Sequence, residues 1–279
     1  MLVNMIDILH KAKEGKYAVA QFNINNLEWT RFILEENNLL NVPVILGVSE
    51  GATKYMGGYV TVVNLINNLI EYLNIGIPVV IHLDHGSSFE SCKKAIDAGF
   101  TSVMIDASGK ELEENIKITE SVVKYAHSRN VSVEAEIGHV GVGTTGILYA
   151  EVDECIKFCQ ATNIDCLAPA LGSVHGPYHG KPVLAFDRMK EISTKVNTPL
   201  VLHGGSGIFN DQIKRAISCG ICKININTEL QQVWAKGVRD SLKLDTDVYD
   251  PRKIIKFGED PLKRMIKDKV NLFETKHCV

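Results

Sequence analysis

Eight short β-rich runs recur along this chain, at 17–22, 43–48, 77–83, 100–105, 131–137, 164–170, 199–202 and 221–226. Several are unbroken apolar stretches, which is how strands covered on both faces read. Helix-forming stretches separate them, at 29–38, 60–73, 89–98, 113–128, 152–162, 185–195 and 212–218. Gly99 and Gly220 follow two of these, where a left-handed cap would precede the next strand. Strands alternating with helices build a parallel sheet. Eight of them in 279 residues predict a closed (β/α)8 TIM barrel, one α/β domain over 1–279. An open doubly wound sheet is the rival, and no Gly-x-Gly-x-x-Gly follows the first run to support it. Beyond Leu242 the chain reads as irregular around Asp250-Pro251, then helical near 261–273.

Polar residues respect this map. Asn23, Ser49, Asp84 with His85, Asp106, Glu136, His175, His203 and Asn225 fall at or just past the carboxyl ends of successive runs. In a barrel that end is one face, where the loops build the site. His85, His175 and His203 come from the third, sixth and seventh runs. Three neutral imidazoles with an open fourth position suit catalytic zinc, a Lewis acid toward a carbonyl. Asp84, beside His85, is placed either to move protons at a substrate or to orient a histidine. Asp106 and Glu136 are candidates for a second divalent metal or for ordering loops, and His82 reads as packing or as support behind a ligand.

Leu202-His203-Gly204-Gly205-Ser206-Gly207 and Asn225-Ile226-Asn227-Thr228 follow the last two runs. Loops there are the frequent phosphate site of barrels, and glycines let backbone N–H groups turn inward as a nest. A phosphate beside a zinc-bound carbonyl describes a small phosphorylated ketose. Lys223, inside the last run, makes a Schiff-base mechanism the rival to a metal. Cys219-Gly220-Ile221-Cys222 straddles a helix end and reads as structural, while His139 and His179 read as solvent-facing loop residues.

Composition excludes other classes. Thirty Lys+Arg against 33 Asp+Glu give no electrostatic basis for binding nucleic acid or an anionic membrane. No apolar run approaches the 18 or so residues of a membrane span, and polar residues interrupt the amino terminus too early for a signal peptide. Seven cysteines, an odd number, suggest reduced thiols and a cytoplasmic protein.

Certain segments carry a likeness to a known family. They are Tyr17-Ala18-Val19-Ala20-Gln21-Phe22-Asn23, Val48-Ser49-Glu50-Gly51, Leu83-Asp84-His85-Gly86-Ser87-Ser88 and Met104-Ile105-Asp106. Val133-Glu134-Ala135-Glu136, Ala168-Pro169-Ala170-Leu171-Gly172-Ser173-Val174-His175-Gly176, His203-Gly204-Gly205-Ser206-Gly207, Lys223-Ile224-Asn225 and the Asp250-Pro251-Arg252 tail complete the set. Together the chain resembles the class II, metal-dependent fructose-bisphosphate aldolases along nearly its whole length. The resemblance implies reversible cleavage of fructose 1,6-bisphosphate to dihydroxyacetone phosphate and glyceraldehyde 3-phosphate, in glycolysis and gluconeogenesis. It implies zinc on His85, His175 and His203, acid–base work by Asp84, and a second metal near Asp106 and Glu136. It implies a dihydroxyacetone-phosphate site at Gly176, Gly204, Gly205, Ser206, Asn225, Ile226, Asn227 and Thr228, with Ser49 touching the aldehyde half. A monovalent cation and a homodimer or homotetramer are implied in the same way, with a ketose bisphosphate as the small-molecule partner.

One departure stands out against that family. The loop 138–147 is several residues shorter than is usual, and no Asp or Glu occurs between Glu136 and Glu151. The expected carrier of the C3 proton is therefore missing. Alternatives are an aldolase for another ketose phosphate, such as tagatose 1,6-bisphosphate, or an impaired homologue that binds sugar phosphate. Asn227 stands where tagatose-type enzymes have alanine, which favours fructose bisphosphate.

Overall fold

Parallel strands that bury both faces need helices on the outside and a filled interior, and the chain supplies both. A computed structural model describes residues 1–142, 147–178 and 180–277. Its strands are β1 (Val19–Asn23), β2 (Val44–Ser49), β3 (Val79–Gly86), β4 (Ser102–Ile105) and β5 (Ser132–Ile137). They continue with β6 (Gly141–Val142), β7 (Cys166–Pro169), β8 (Val174–His175), β9 (Leu200–Leu202) and β10 (Ile221–Ile226). Eight form a closed parallel ring in the order β1-β10-β9-β7-β5-β4-β3-β2, while β6 and β8 pair separately. Each barrel strand overlaps one expected run. His175 differs from expectation, because it lies on β8 and not at the tip of a barrel strand.

The expected helices, including the one near 261–273, are present to within two residues at each end. Among the described residues there are four more, Ile6–Gly15, Glu50–Tyr55, Thr228–Leu244 and Pro251–Lys256. The last corrects the irregular reading at Asp250-Pro251. The Asp250 side chain accepts from Arg252 N and Pro251 occupies the first turn, where its missing N–H does no harm.

Outward-facing residues such as Ala20, Phe22, Leu46, Ile81, Val133 and Leu202 join the main core between barrel and helices. A second core plugs the barrel's amino end. Met5, Ile8, Leu9 and Ala12, spaced as one helical stripe, pack there with Val19, Ile45, Val80, Cys166 and Val201. The interior above this plug is polar, so the reactive end and the stabilising end of one barrel are separated by sequence position along each strand.

Candidate active site

β3 and β4 slip register between Leu83 and Gly86. Successive strand residues normally face opposite sides, but a bulge re-aims them. His85 takes φ +52°, the left-handed region that a non-glycine residue occupies at a cost of about 1–3 kcal/mol. Asp84 and His85 consequently line one cavity of about 210 Å³ with Asn23, Asn25, Ser49, His175, Gly176, Gly204, Ser206, Asn225, Asn227 and Thr228. Larger grooves near Asp245–Arg252 and beside Phe89 lie elsewhere and contain none of the histidines.

The three imidazoles converge. Ring centroids of His85 lie 4.9 Å from His175 and 4.8 Å from His203, and those of His175 and His203 lie 5.8 Å apart. Two rings have one nitrogen engaged: His85 Nδ1 is 2.8 Å from Asp106 Oδ2, and His203 Nε2 is 2.8 Å from Glu134 Oε1. These bonds leave His85 Nε2 and His203 Nδ1 as the ring nitrogens that face inward. Burial and the neighbouring rings push the His175 pKa down to about 3, so its ring is neutral at neutral pH. Burial alone would lower the His85 pKa too, but the Asp106 bond and the Asp84 and Glu136 charges carry it up to about 9.

Asp84 is almost fully buried, and its Oδ2 accepts from Asn23 Nδ2 at 2.8 Å. Desolvation would raise its pKa, yet His85, His203, His82 and Lys223 outweigh that and hold it well below the usual carboxylate range. Glu136 behaves oppositely, with burial raising its pKa.

The glycine-rich loop after β9 is latched to β8. Tyr178 Oη donates to Gly204 O at 2.9 Å and accepts from Val174 N at 3.1 Å. Gly204 has φ +62°, and a Cβ there would strike Val174 O, so both conformation and contact require glycine. Ser206 Oγ accepts from Asn227 N and Glu229 N, both at 3.3 Å, at the start of the helix Thr228–Leu244. Its own hydroxyl hydrogen is then free to donate toward an anion at that helix N-terminus.

The sequence matches the family described as fructose-bisphosphate aldolase class-II over residues 3–277. A fructose-bisphosphate aldolase of Geobacillus stearothermophilus is 58% identical over 277 residues, 98% of this chain and 96% of the relative. One of Staphylococcus epidermidis is 56% identical over 279 residues, covering 98% of each. The chain belongs to the class-II fructose-bisphosphate aldolase family. The crystal structure of the YdjI aldolase from Escherichia coli K12 superposes with a TM-score of 0.87 at 32% identity, over 99% of this chain and 98% of that one.

Class-II aldolases are metal-dependent, and the residues present fit a divalent ion. His85, His175 and His203 each bring a ligand atom within 4.8 Å of the others, as do His85, Asp106 and Glu136. His203 Nδ1 and Glu136 Oε2 are buried, 3.5 Å apart, and neither has a hydrogen-bond partner. Orphaned polar atoms of this kind are what a cation would satisfy.

Not every expected residue reaches the cavity. The Ile226 side chain is fully buried, and Gly205, which bonds Asn225 O through its N–H, stands behind the lining. Lys223 is fully inaccessible and paired with Glu134 at 2.8 Å, which leaves the Schiff-base reading no accessible amine. Cys219 and Cys222 are buried, and burial pushes the Cys222 thiol up to about 11. His139 is exposed, with Nδ1 3.2 Å from Ser108 Oγ. His179 and residues 143–146 of the shortened loop lie outside the described residues.

Glu134, Asn23 and Tyr178 take parts that the residue pattern did not assign. For Glu134 and Asn23 a signal existed: each sits two residues from another polar residue on an otherwise apolar strand.

Proposed function

We propose that this chain is a zinc-dependent aldolase that reversibly cleaves fructose 1,6-bisphosphate into dihydroxyacetone phosphate and glyceraldehyde 3-phosphate. The observation that carries this reading is the convergence of three imidazoles beside the buried carboxylate of Asp84. His85, His175 and His203 would hold the ion, and three nitrogens with an open position suit zinc. When bound, it supplies Lewis acidity toward the C2 carbonyl and the negative charge that builds beside it.

The chain's own groups do the rest. Asp84, ionised and held by Asn23, takes the C4 hydroxyl proton as the C3–C4 bond breaks, and returns it in the condensation direction. Asn225, whose Nδ2 is 3.5 Å from Asp84 Oδ1, lies beside the reacting carbons. Gly176, Gly204, Ser206, Asn227 and Thr228 line the anion end, where backbone N–H groups and the Ser206 hydroxyl bind the dihydroxyacetone phosphate group. Gly205, whose N–H is bonded to Asn225 O, and the buried Ile226 shape that end from behind the lining. Ser49, at the tip of β2, meets the aldehyde half. No carboxylate occurs in 138–147 to carry the C3 proton, which leaves His139 or solvent as its source.

Asp106 and Glu136, with His85, form the group assigned to a second divalent ion. A monovalent cation, a homodimer or homotetramer, a place in glycolysis and a cytoplasmic location are further parts of the reading, supported by family membership. No helix of the described residues is long and apolar enough to cross a membrane. Relatives at 56–58% identity bear the fructose-bisphosphate name, which disfavours the tagatose and impaired-homologue alternatives.

A coupled cleavage assay tests the reading. Fructose 1,6-bisphosphate should be split, a strong chelator should abolish turnover, and zinc should restore it. Undiminished cleavage in verified metal-free protein would exclude the mechanism, and preferential cleavage of the tagatose isomer would exclude the substrate.

A further inference from the structure

Below the rim of the barrel lies a set of buried polar side chains that do not line the cavity: Gln21, His82, Glu134 and Lys223, each with no accessible surface. Each precedes a rim residue by two positions on its strand: Asn23, Asp84, Glu136 and Asn225 in turn. The strand period of two therefore puts them directly underneath. Lys223 ties this layer together. Its Nζ is 2.8 Å from Glu134 Oε2 and donates to Asn225 Oδ1 at 2.8 Å. The other Glu134 oxygen, Oε1, is the one that receives His203 Nε2–H at 2.8 Å.

We propose that Lys223 is a positioning residue that sets two groups of the site at once, the ring of His203 through Glu134 and the amide of Asn225 directly. The inference rests on reading His203 as a metal ligand and Asn225 as a substrate-facing amide. Its first arm follows from tautomers. A carboxylate accepts and cannot donate, so Glu134 holds the proton of His203 on Nε2 and leaves the Nδ1 lone pair aimed at the ion site. Lys223, 2.8 Å from the other Glu134 oxygen, holds that carboxylate in the orientation that meets His203. The second arm follows from the asymmetry of a carboxamide. An ammonium has three donors and no acceptor, so Asn225 can present only Oδ1 to it. Its Nδ2 is thereby turned outward toward Asp84 and the cavity. The Asp84 contact is long, 3.5 Å, so the short bond from the ammonium is the stronger of the two that orient the amide.

Replacing the ammonium by an uncharged chain of similar length separates the arms. In Lys223→Met, zinc affinity measured by competition with a chromophoric chelator should weaken about 10–100-fold, the usual effect of losing support behind a ligand. The visible spectrum of the cobalt(II)-substituted protein should change with it. At saturating zinc, a loss in kcat/KM for fructose 1,6-bisphosphate should remain, because Asn225 has lost its donor. The double variant Lys223→Met/Glu134→Gln removes both buried charges while its carbonyl still accepts from His203. It should recover zinc affinity and the cobalt spectrum toward wild type yet keep the kcat/KM defect, and it carries the test if the single variant does not fold. Wild-type zinc affinity, cobalt spectrum and kinetics in Lys223→Met would overturn the proposal, as would full turnover in the double variant. A wild-type protein that works without metal would sink the underlying reading before any variant is made.

Discussion

Asp84 occupies an unusual electrostatic position, buried beside three histidines and a lysine, with Asn23 2.8 Å from one oxygen. That neighbourhood keeps the carboxylate ionised despite desolvation, which is what a group receiving the C4 hydroxyl proton needs. Asp84→Ala should lower kcat by roughly 10²–10⁴-fold, the range general acid–base catalysis supplies. Bound zinc, measured by metal analysis, should stay near wild type because the imidazoles are untouched. Retained turnover would remove Asp84 from the chemistry. At this scale the sequence is informative where chemistry and position coincide: Asp84, His85 and His203 sit at the carboxyl ends of barrel strands, whereas His175 lies on β8 outside the ring. Polar residues within apolar strands flag Glu134 and Lys223 without assigning their use, because Glu134 meets partners 69 and 89 residues away that only barrel closure brings near.

Elements divide in the same way. Strands and outer helices were legible because their patterns are local, a run of apolar residues or a stripe. The helix Thr228–Leu244 has only Leu230 and Val238 buried along 17 residues, too weak a stripe to announce itself in the sequence. The pair β6 and β8 has two residues on each side and depends on neighbouring loops for its register. The Tyr178 hydroxyl is one such dependence. Tyr178→Phe leaves Val174 N and Gly204 O without their bridge and should lower stability by about 1–3 kcal/mol in urea unfolding. Because β8 carries His175, zinc affinity should fall as well, and an unchanged urea midpoint would refute the latch. A second tie joins the helices Leu27–Leu39 and Glu259–Leu272, where Lys263 Nζ is 2.7 Å from Glu35 Oε2. Burial raises the Glu35 pKa, but Lys263 and Arg31 pull it below its ordinary value. A depressed carboxylate contributes stability above its unfolded pKa and loses it as pH falls through the folded one. The difference between wild type and Lys263→Met should therefore be largest near pH 7, at most about 1 kcal/mol for a pair still in reach of solvent, and should shrink below pH 4.5. A constant difference across that range would assign the effect to packing instead.

For the molecule as a whole, the consequential fact is where the proposed ligands are anchored. His85 comes from β3, His203 from the end of β9, and His175 from β8, which is outside the ring. β3 and β9 are not neighbours: β7, β5 and β4 stand between them on one side and β2, β1 and β10 on the other. An ion held by all three rings would thus cross-link the mouth of the barrel across its diameter, whereas the apolar plug around Leu9 closes the opposite end without it. The fold should form without metal and become more stable with it. A ligand that binds only the folded state adds RT ln(1 + [L]/Kd), about 2.7 kcal/mol at a hundredfold excess over Kd. For a chain of this size that corresponds to a rise of roughly 5–10 °C in melting temperature. Calorimetry of chelator-treated protein, with zinc then added back, should show that rise, and His203→Ala should show almost none of it. A melting temperature indifferent to zinc in the wild-type protein would mean that the rings do not share an ion.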